Sequence, residues 1–189
     1  MRGQHLQRVR VDDDIAPMAV IIMGVSGSGK STLGALLATA LGAAFLEGDA
    51  FHADAAIAKM RSGAPLDDMD RWPWLDRLGS AIGAEVRTNG LAVAACSALR
   101  HSYRKRLADA VQAPTRFILL DGNADELRRR LADRAGHYMP GSLLASQLDT
   151  LERLGTEEAA TTLDASASPA MLCAAALAWL HGAGREFDR

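Results

Sequence analysis

Nine consecutive residues, Gly24-Val25-Ser26-Gly27-Ser28-Gly29-Lys30-Ser31-Thr32, hold the densest chemistry in the chain. Their spacing is G-x-x-x-x-G-K-[ST], that of a phosphate-binding loop (P-loop). Gly27 and Gly29 let the backbone turn tightly, so that successive N–H groups converge as an anion-binding nest. A helix opening directly after the loop adds the partial positive charge of its N-terminus. Lys30 then brings a full charge to the β- and γ-phosphates of a nucleoside triphosphate, and the Ser31 hydroxyl is the expected Mg²⁺ ligand. Every residue from Gly24 to Thr32 is therefore expected to bind nucleotide, with Lys30 also catalytic. The competing reading is a Gly/Ser-rich surface turn.

Other residues can complete such a site. Asp49 follows a short apolar run, Ala43 to Glu47. A carboxylate there can orient an acceptor hydroxyl and take its proton late, hold a magnesium-bound water, or simply cap the next helix. These roles stay open on the residues alone. Arg128, Arg129, Arg130 and Arg134 lead into Gly136-His137-Tyr138. Arg130 and Arg134 share a helix face and are expected to be catalytic, closing over the triphosphate and offsetting charge in the transition state. At least one of the four must instead belong to a solvated basic face. The break from Gly136 to Gly141 suits a mobile lid, at about 134–146, that excludes water.

The elements that must position these groups follow from periodicity. Ala19 to Met23 is a continuous apolar run, as a strand buried on both faces should be. Leu33, Leu36, Leu37, Ala40 and Leu41 recur at helical spacing, with Gly42 as the cap. Strand, glycine loop and helix are the setting the motif requires. Beyond them, Ala43 to Glu47 reads as a second strand and Phe51 to Arg61 as a helix, followed by a break at Gly63-Ala64-Pro65. A helix is expected from about Asp70 to Arg87, with Pro73 in its first turn. Leu91 to Cys96 reads as a strand, Ser102 to Val111 as a helix, Arg116 to Leu120 as a strand, and Asn123 to Ala135 as a basic helix. Leu143 to Leu154 resumes helix, Ala160 to Leu163 is a weak fifth strand, and Pro169 to Leu180 closes the chain as an Ala-rich helix. The alternation predicts an α/β three-layer fold: a five-stranded parallel sheet flanked by helices. Sites in such sheets lie beyond the carboxyl ends of the strands, which puts the P-loop, Asp49 and Ser97 around one cleft.

Composition sets the limits. The chain has 189 residues, 49% of them hydrophobic and 23% charged, as one globular domain should. A net charge of −2 gives no general polyanion-binding surface, so no nucleic-acid partner is expected. No apolar stretch is long enough to span a membrane. Cys96 and Cys173 show neither metal spacing nor a disulfide framework, which fits a reduced, cytoplasmic setting. Residues 1–17 are polar, lack the apolar middle of a signal peptide, and read as a loosely ordered extension; Met18 offers an alternative start. Residues 18–189 form the single domain.

Beyond the P-loop, the ordered segments EGDAFH (47–52), KMRSGAPLDDMDRWPWL (59–75), ACSALRHSYR (95–104) and RRLADRAGHYMPGSLLASQLDTLE (129–152) resemble the gluconokinase family of small bacterial-type P-loop kinases. The resemblance runs from Met18 to about Asp164. It implies a nucleoside-monophosphate-kinase-like fold and transfer of phosphate from ATP, with Mg²⁺, to D-gluconate, giving 6-phosphogluconate. It also implies a homodimer. An anionic polyol needs a cation for its carboxylate and hydrogen-bonding groups for its hydroxyls, so Asp49, His52, Lys59, Arg71, Ser97 and Arg100 are the candidate acceptor residues. Arg71 leads, because a guanidinium grips a carboxylate through two parallel bonds. Each has a plainer alternative: a helix-start charge pair for Arg71, a local cap for His52, a solvated cation for Lys59. Trp72, Trp74 and Cys96 are read as packing residues. His137 fits the family's lid motif.

The chain departs from the family pattern at two places. Glu47 stands where Asp is common, and Arg153-Leu154 follows Glu152 where a proline is common. Alternative readings are a shikimate kinase, a nucleoside monophosphate kinase, or a P-loop module that binds nucleotide without turning over a metabolite.

Overall fold

The structure, a computed structural model, describes residues 16–132 and 142–184. Of the expected lid, 134–146, residues 134–141 lie outside the described residues, as does most of the expected N-terminal extension, while 142–146 open a helix. Strand β1, Met18–Met23, is buried along its whole length. It is followed by α1 (Lys30–Leu41), β2 (Ala44–Glu47), a 3₁₀ turn (Gly48–Phe51), α2 (Asp54–Arg61) and α3 (Asp68–Asn89). The chain continues through β3 (Leu91–Ala95), α4 (His101–Val111), β4 (Thr115–Asp121), α5 (Ala124–Ala132), α6 (Ser142–Thr150), β5 (Ala160–Asp164) and α7 (Pro169–Gly184).

The five strands form one sheet in the order β2-β3-β1-β4-β5, and every pairing is parallel. β1 is central because it is apolar on both faces. Ala19, Ile21 and Met23 point into a core shared with Leu75, Leu78 and Ile82 of α3 and Leu107 of α4. Val20 and Ile22 point the other way, into a core built with Leu33 and Leu37 of α1 and Leu172 and Leu180 of α7. Three layers result, as expected for parallel strands that must be covered on both sides.

Several helix boundaries differ from the sequence expectation: α6 is Ser142–Thr150, short of Leu154, α7 runs on to Gly184, and two starts near the site move. α2 begins at Asp54 rather than Phe51, because residues 48–51 take a tighter 3₁₀ turn and Ala53 is extended. That leaves Asp49 and His52 on a turn instead of a helix start. α3 begins at Asp68, two residues early, because Asp67 and Asp70 form a reciprocal capping box. Pro73 consequently lies in the second turn, where it denies the Met69 carbonyl its helical donor.

Candidate active site

The P-loop leaves the end of β1 and wraps the start of α1. Gly27 and Gly29 have φ of +82° and +96°, a region costly for any residue with a Cβ. The Lys30 ammonium donates to the Val25 carbonyl at 3.0 Å, so the lysine lies along the loop. Ser31 and Thr32 are exposed in the first turn of α1. The loop separates two grooves. Ser26 and Lys30 line one. Gly27, Ser28, Gly29 and Thr32 line the other, together with Arg130, Ala165, Ala167, Pro169 and Leu172.

The first groove gathers the acceptor-side residues. Asp49, His52, Arg71, Trp74 and Ser97 share it with Ser26 and Lys30, so strand-end geometry brings together the cleft read from the sequence. Long-range contacts hold the Asp49 turn. The indole N–H of Trp74, itself buried, donates to the Gly48 carbonyl at 2.8 Å. The Arg77 guanidinium donates twice to the Phe51 carbonyl, at 3.2 and 3.0 Å. His52 stacks on Trp74 with ring centroids 4.1 Å apart, and its Nε2 lies 4.0 Å from the Asp49 carboxylate. Burial lowers the His52 pKa to about 4, with Asp49 opposing and Arg71 and Arg77 reinforcing the shift. The ring is therefore neutral near pH 7. Its Nδ1 is buried and has no hydrogen-bond partner among the described residues.

Arg71 reaches the same groove with Nε and Nη2 donating to the Leu66 carbonyl at 3.3 and 3.2 Å, and with its guanidinium 5.3 Å from the centre of the Tyr103 ring. Past it the groove continues along Pro65 and Leu66 to Arg100. Arg100 stands 5.6 Å from the same ring centre and pairs with Asp68 at 3.4 Å. The Tyr103 hydroxyl donates to Asp68 at 2.5 Å, which locks the cluster. Two guanidinium groups thus lie along this side, Arg71 in the groove it shares with Lys30 and Arg100 in the adjoining one.

The remaining candidates are placed differently. Lys59 is held by Asp67 at 3.1 Å and Asp70 at 2.5 Å, clamping the capping box of α3 instead of lining the groove. Arg130 donates to Glu126 at 3.0 Å and to the Ala165 carbonyl at 2.7 Å, on the groove behind the P-loop. Arg128 and Arg129 pair with Asp125 and Glu126 on the exposed side of α5. Arg134 and His137 lie outside the described residues. Cys96 packs in the sheet as expected, and burial pushes its thiol up to about 12.

Three contributions were not read from the sequence. Trp74 and Arg77, three apart on one face of α3, act as the brackets of the Asp49 turn. Gln147 of α6 accepts the Ser26 N–H at 2.6 Å and lines the acceptor groove. Arg104, 1% exposed, grips Glu158 through two bonds of 2.5 and 2.9 Å and also donates to the Leu99 and Glu152 carbonyls. Spacing on a helix could have flagged the first pair. The other partners lie far apart in sequence, where periodicity carries no signal.

Comparison with known proteins agrees with this geometry. A family described as an AAA domain matches residues 20–154. A gluconokinase of Gluconobacter oxydans (strain 621H) is 46% identical over 144 residues, which is 76% of this chain and 80% of that protein. Among solved structures, a gluconokinase from Sinorhizobium meliloti 1021 superposes with a TM-score of 0.79 at 40% identity, covering 92% of this chain and 97% of that one. An unliganded sugar kinase from Janibacter sp. HTCC2649 gives a TM-score of 0.81 at 43% identity over 86% and 94% of the two chains. With a complete P-loop, a strand-end carboxylate beside it and relatives of this identity along most of its length, the chain belongs to the gluconokinase family of P-loop kinases.

Proposed function

We propose that the protein transfers the γ-phosphoryl group of ATP to the terminal hydroxyl of D-gluconate, giving 6-phospho-D-gluconate and ADP. The observation that carries this reading is the polarity of one groove. Its Ser26–Lys30 end suits the γ-phosphate, and its Arg71–Arg100 end suits a carboxylate. An extended six-carbon acid spans from one to the other with its hydroxyls passing His52 and Ser97. The groove behind the P-loop takes the nucleoside, with the Arg130 guanidinium over a wall of Ala165, Ala167 and Pro169.

Transfer is a displacement. The bond from the sugar-acid oxygen to phosphorus forms as the bond from phosphorus to ADP breaks. Lys30 and the loop N–H groups meet charge on the phosphoryl oxygens. Asp49 lines the same groove as Lys30, which supports its orienting the attacking hydroxyl and taking its proton. Neutral His52 accepts or donates one hydrogen bond without adding charge. Mg²⁺ fits the donor set: the exposed Ser31 hydroxyl is beside Lys30, with Asp49 in the same cleft, and this ion keeps most of its shell as water and phosphate oxygens. When bound it neutralises phosphate charge.

The resemblance also supports a homodimer, and two cysteines without metal spacing or a disulfide framework support a reduced, cytoplasmic setting. Among the described residues no helix is long and apolar enough to cross a membrane. Light scattering of the purified protein tests the dimer. An ADP-release assay tests the acceptor, comparing gluconate with glucose, shikimate and nucleoside monophosphates. Gluconate alone should drive turnover, and equal use of glucose would refute the reading.

A further inference from the structure

We propose that Gln147 touches the phosphoryl group in flight, as an amide donor whose orientation is set by the P-loop. α6 rests on the loop through a small core of its own, in which Leu144 and Leu148 meet Val25, Leu99 and Leu127. That packing carries Gln147 over the mouth of the acceptor groove, where its Oε1 accepts the Ser26 N–H at 2.6 Å. A backbone N–H can only donate, so the atom facing it must be the amide oxygen. The amide NH₂ is then left as the group's remaining polar capacity, on a side chain that shares its groove with Lys30, Asp49 and Ser97.

Ser26 and Lys30 form the end of the P-loop nearest the acceptor. The group passing between the γ-phosphate position and Asp49 crosses that point. As the new oxygen–phosphorus bond forms and the bond to ADP breaks, negative charge sits on the three equatorial oxygens. A fixed neutral donor stabilises that charge and needs no reorganisation at the moment of transfer. Gln147 is thus assigned to the transferring group, whereas Arg71 and Arg100 serve the remote end of the acceptor. The assignment rests on the phosphoryl-transfer reading above but not on which sugar acid is used.

The test exploits what glutamate keeps and loses. Gln147→Glu retains an oxygen for the Ser26 N–H and replaces only the donor. At pH 7 that carboxylate faces the phosphoryl oxygens, and kcat should fall by about 10²–10³-fold with the affinity for ADP unchanged. Protonation restores a group that both accepts and donates. The ratio of variant to wild-type kcat should therefore climb roughly tenfold per pH unit as pH falls from 7 toward 5, well above an ordinary glutamate pKa. The other charged groups lining the groove, Lys30, Asp49, His52 and Arg71, are common to both proteins and cancel in the ratio. Gln147→Leu should lose kcat with no such recovery. Both variants are also assayed for ATP hydrolysis with water as acceptor, so a wrong sugar acid leaves the ratio measurable. If Gln147 were only a strut between α6 and the loop, Gln147→Glu would keep wild-type kcat at pH 7 with a flat ratio. That result, or wild-type kcat in Gln147→Leu, would overturn the proposal.

Discussion

Arg71 enters the acceptor groove with two of its nitrogens already engaged by the Leu66 carbonyl. That anchoring fixes the plane of the guanidinium before any substrate arrives, which lowers the entropy lost on binding. Removing it should leave a carboxylate unpaired, so Arg71→Ala is expected to weaken gluconate recognition by about 2–5 kcal/mol, read as a raised KM. In the proposed role of Asp49, at the reacting hydroxyl, Asp49→Asn should leave KM nearly unchanged and lower kcat. Steady-state kinetics of the two variants separate these effects, with glucose as the uncharged control. His52 makes a different kind of prediction. Burial lowers its pKa from 6.5 to about 4, so the unfolded chain binds the proton first as the solution is acidified. The stability tied to the neutral ring is complete above pH 6.5 and is lost as pH falls toward about 4. Urea melts across that window should show a slope in the wild type that His52→Asn lacks.

At the scale of elements, the 3₁₀ turn matters more than its four residues suggest. Gly48 sits so close to β3 that a Cβ there would run into the Ala95 carbonyl and stand 3.2 Å from Leu78. Gly48→Ala should therefore push the turn outward, cost about 1–3 kcal/mol in a thermal melt, and lower kcat by displacing Asp49. Much of this level was legible in the sequence. The P-loop, the buried β1 and the strand ends carrying Asp49 and Ser97 all follow from local pattern. The Asp67–Asp70 capping box starts α3 before the position that Pro73 suggests, because a proline in a first turn points to a later start. Lys59 was read as an acceptor residue, yet two carboxylates from the next helix claim it. Trp74 and Arg77 share a helix face that spacing can flag, but their backbone partners lie 26 residues away and that of Gln147 lies 121 away, separations no periodicity encodes.

Across the whole molecule, the buried Arg104–Glu158 pair binds α4 to the segment that leads from α6 into β5. The same segment returns Glu152 to accept the His101 N–H at 2.6 Å, supplying an N-terminal partner for α4. Burial alone would raise the Glu158 pKa. Its bonds to Arg104 and the Gly155 N–H outweigh that and hold the carboxyl at about 2. The associated stability is present above the ordinary value of 4.5 and is lost as pH falls toward about 2. Glu158→Gln should cost about 3–5 kcal/mol at neutral pH by leaving a buried guanidinium without its counter-charge. Chemical denaturation at neutral pH and through that acid range would reveal both effects. Unchanged stability would show that the pair is dispensable.

The acceptor-side turn and Arg71 fall within one stretch, residues 48–71, running between β2 and the body of α3. The phosphate end of the site, by contrast, grows from the most buried strand of the sheet. The phosphate-binding loop and the turn that carries Asp49 are thus separate pieces of chain, the turn being held by the Trp74 and Arg77 brackets. A lineage could exchange the rest of the stretch while keeping Asp49 and the phosphate-binding loop, and so could an engineer. Grafting the corresponding segment of another small-molecule kinase, with both brackets left in place, is the shortest route to a new phosphate acceptor.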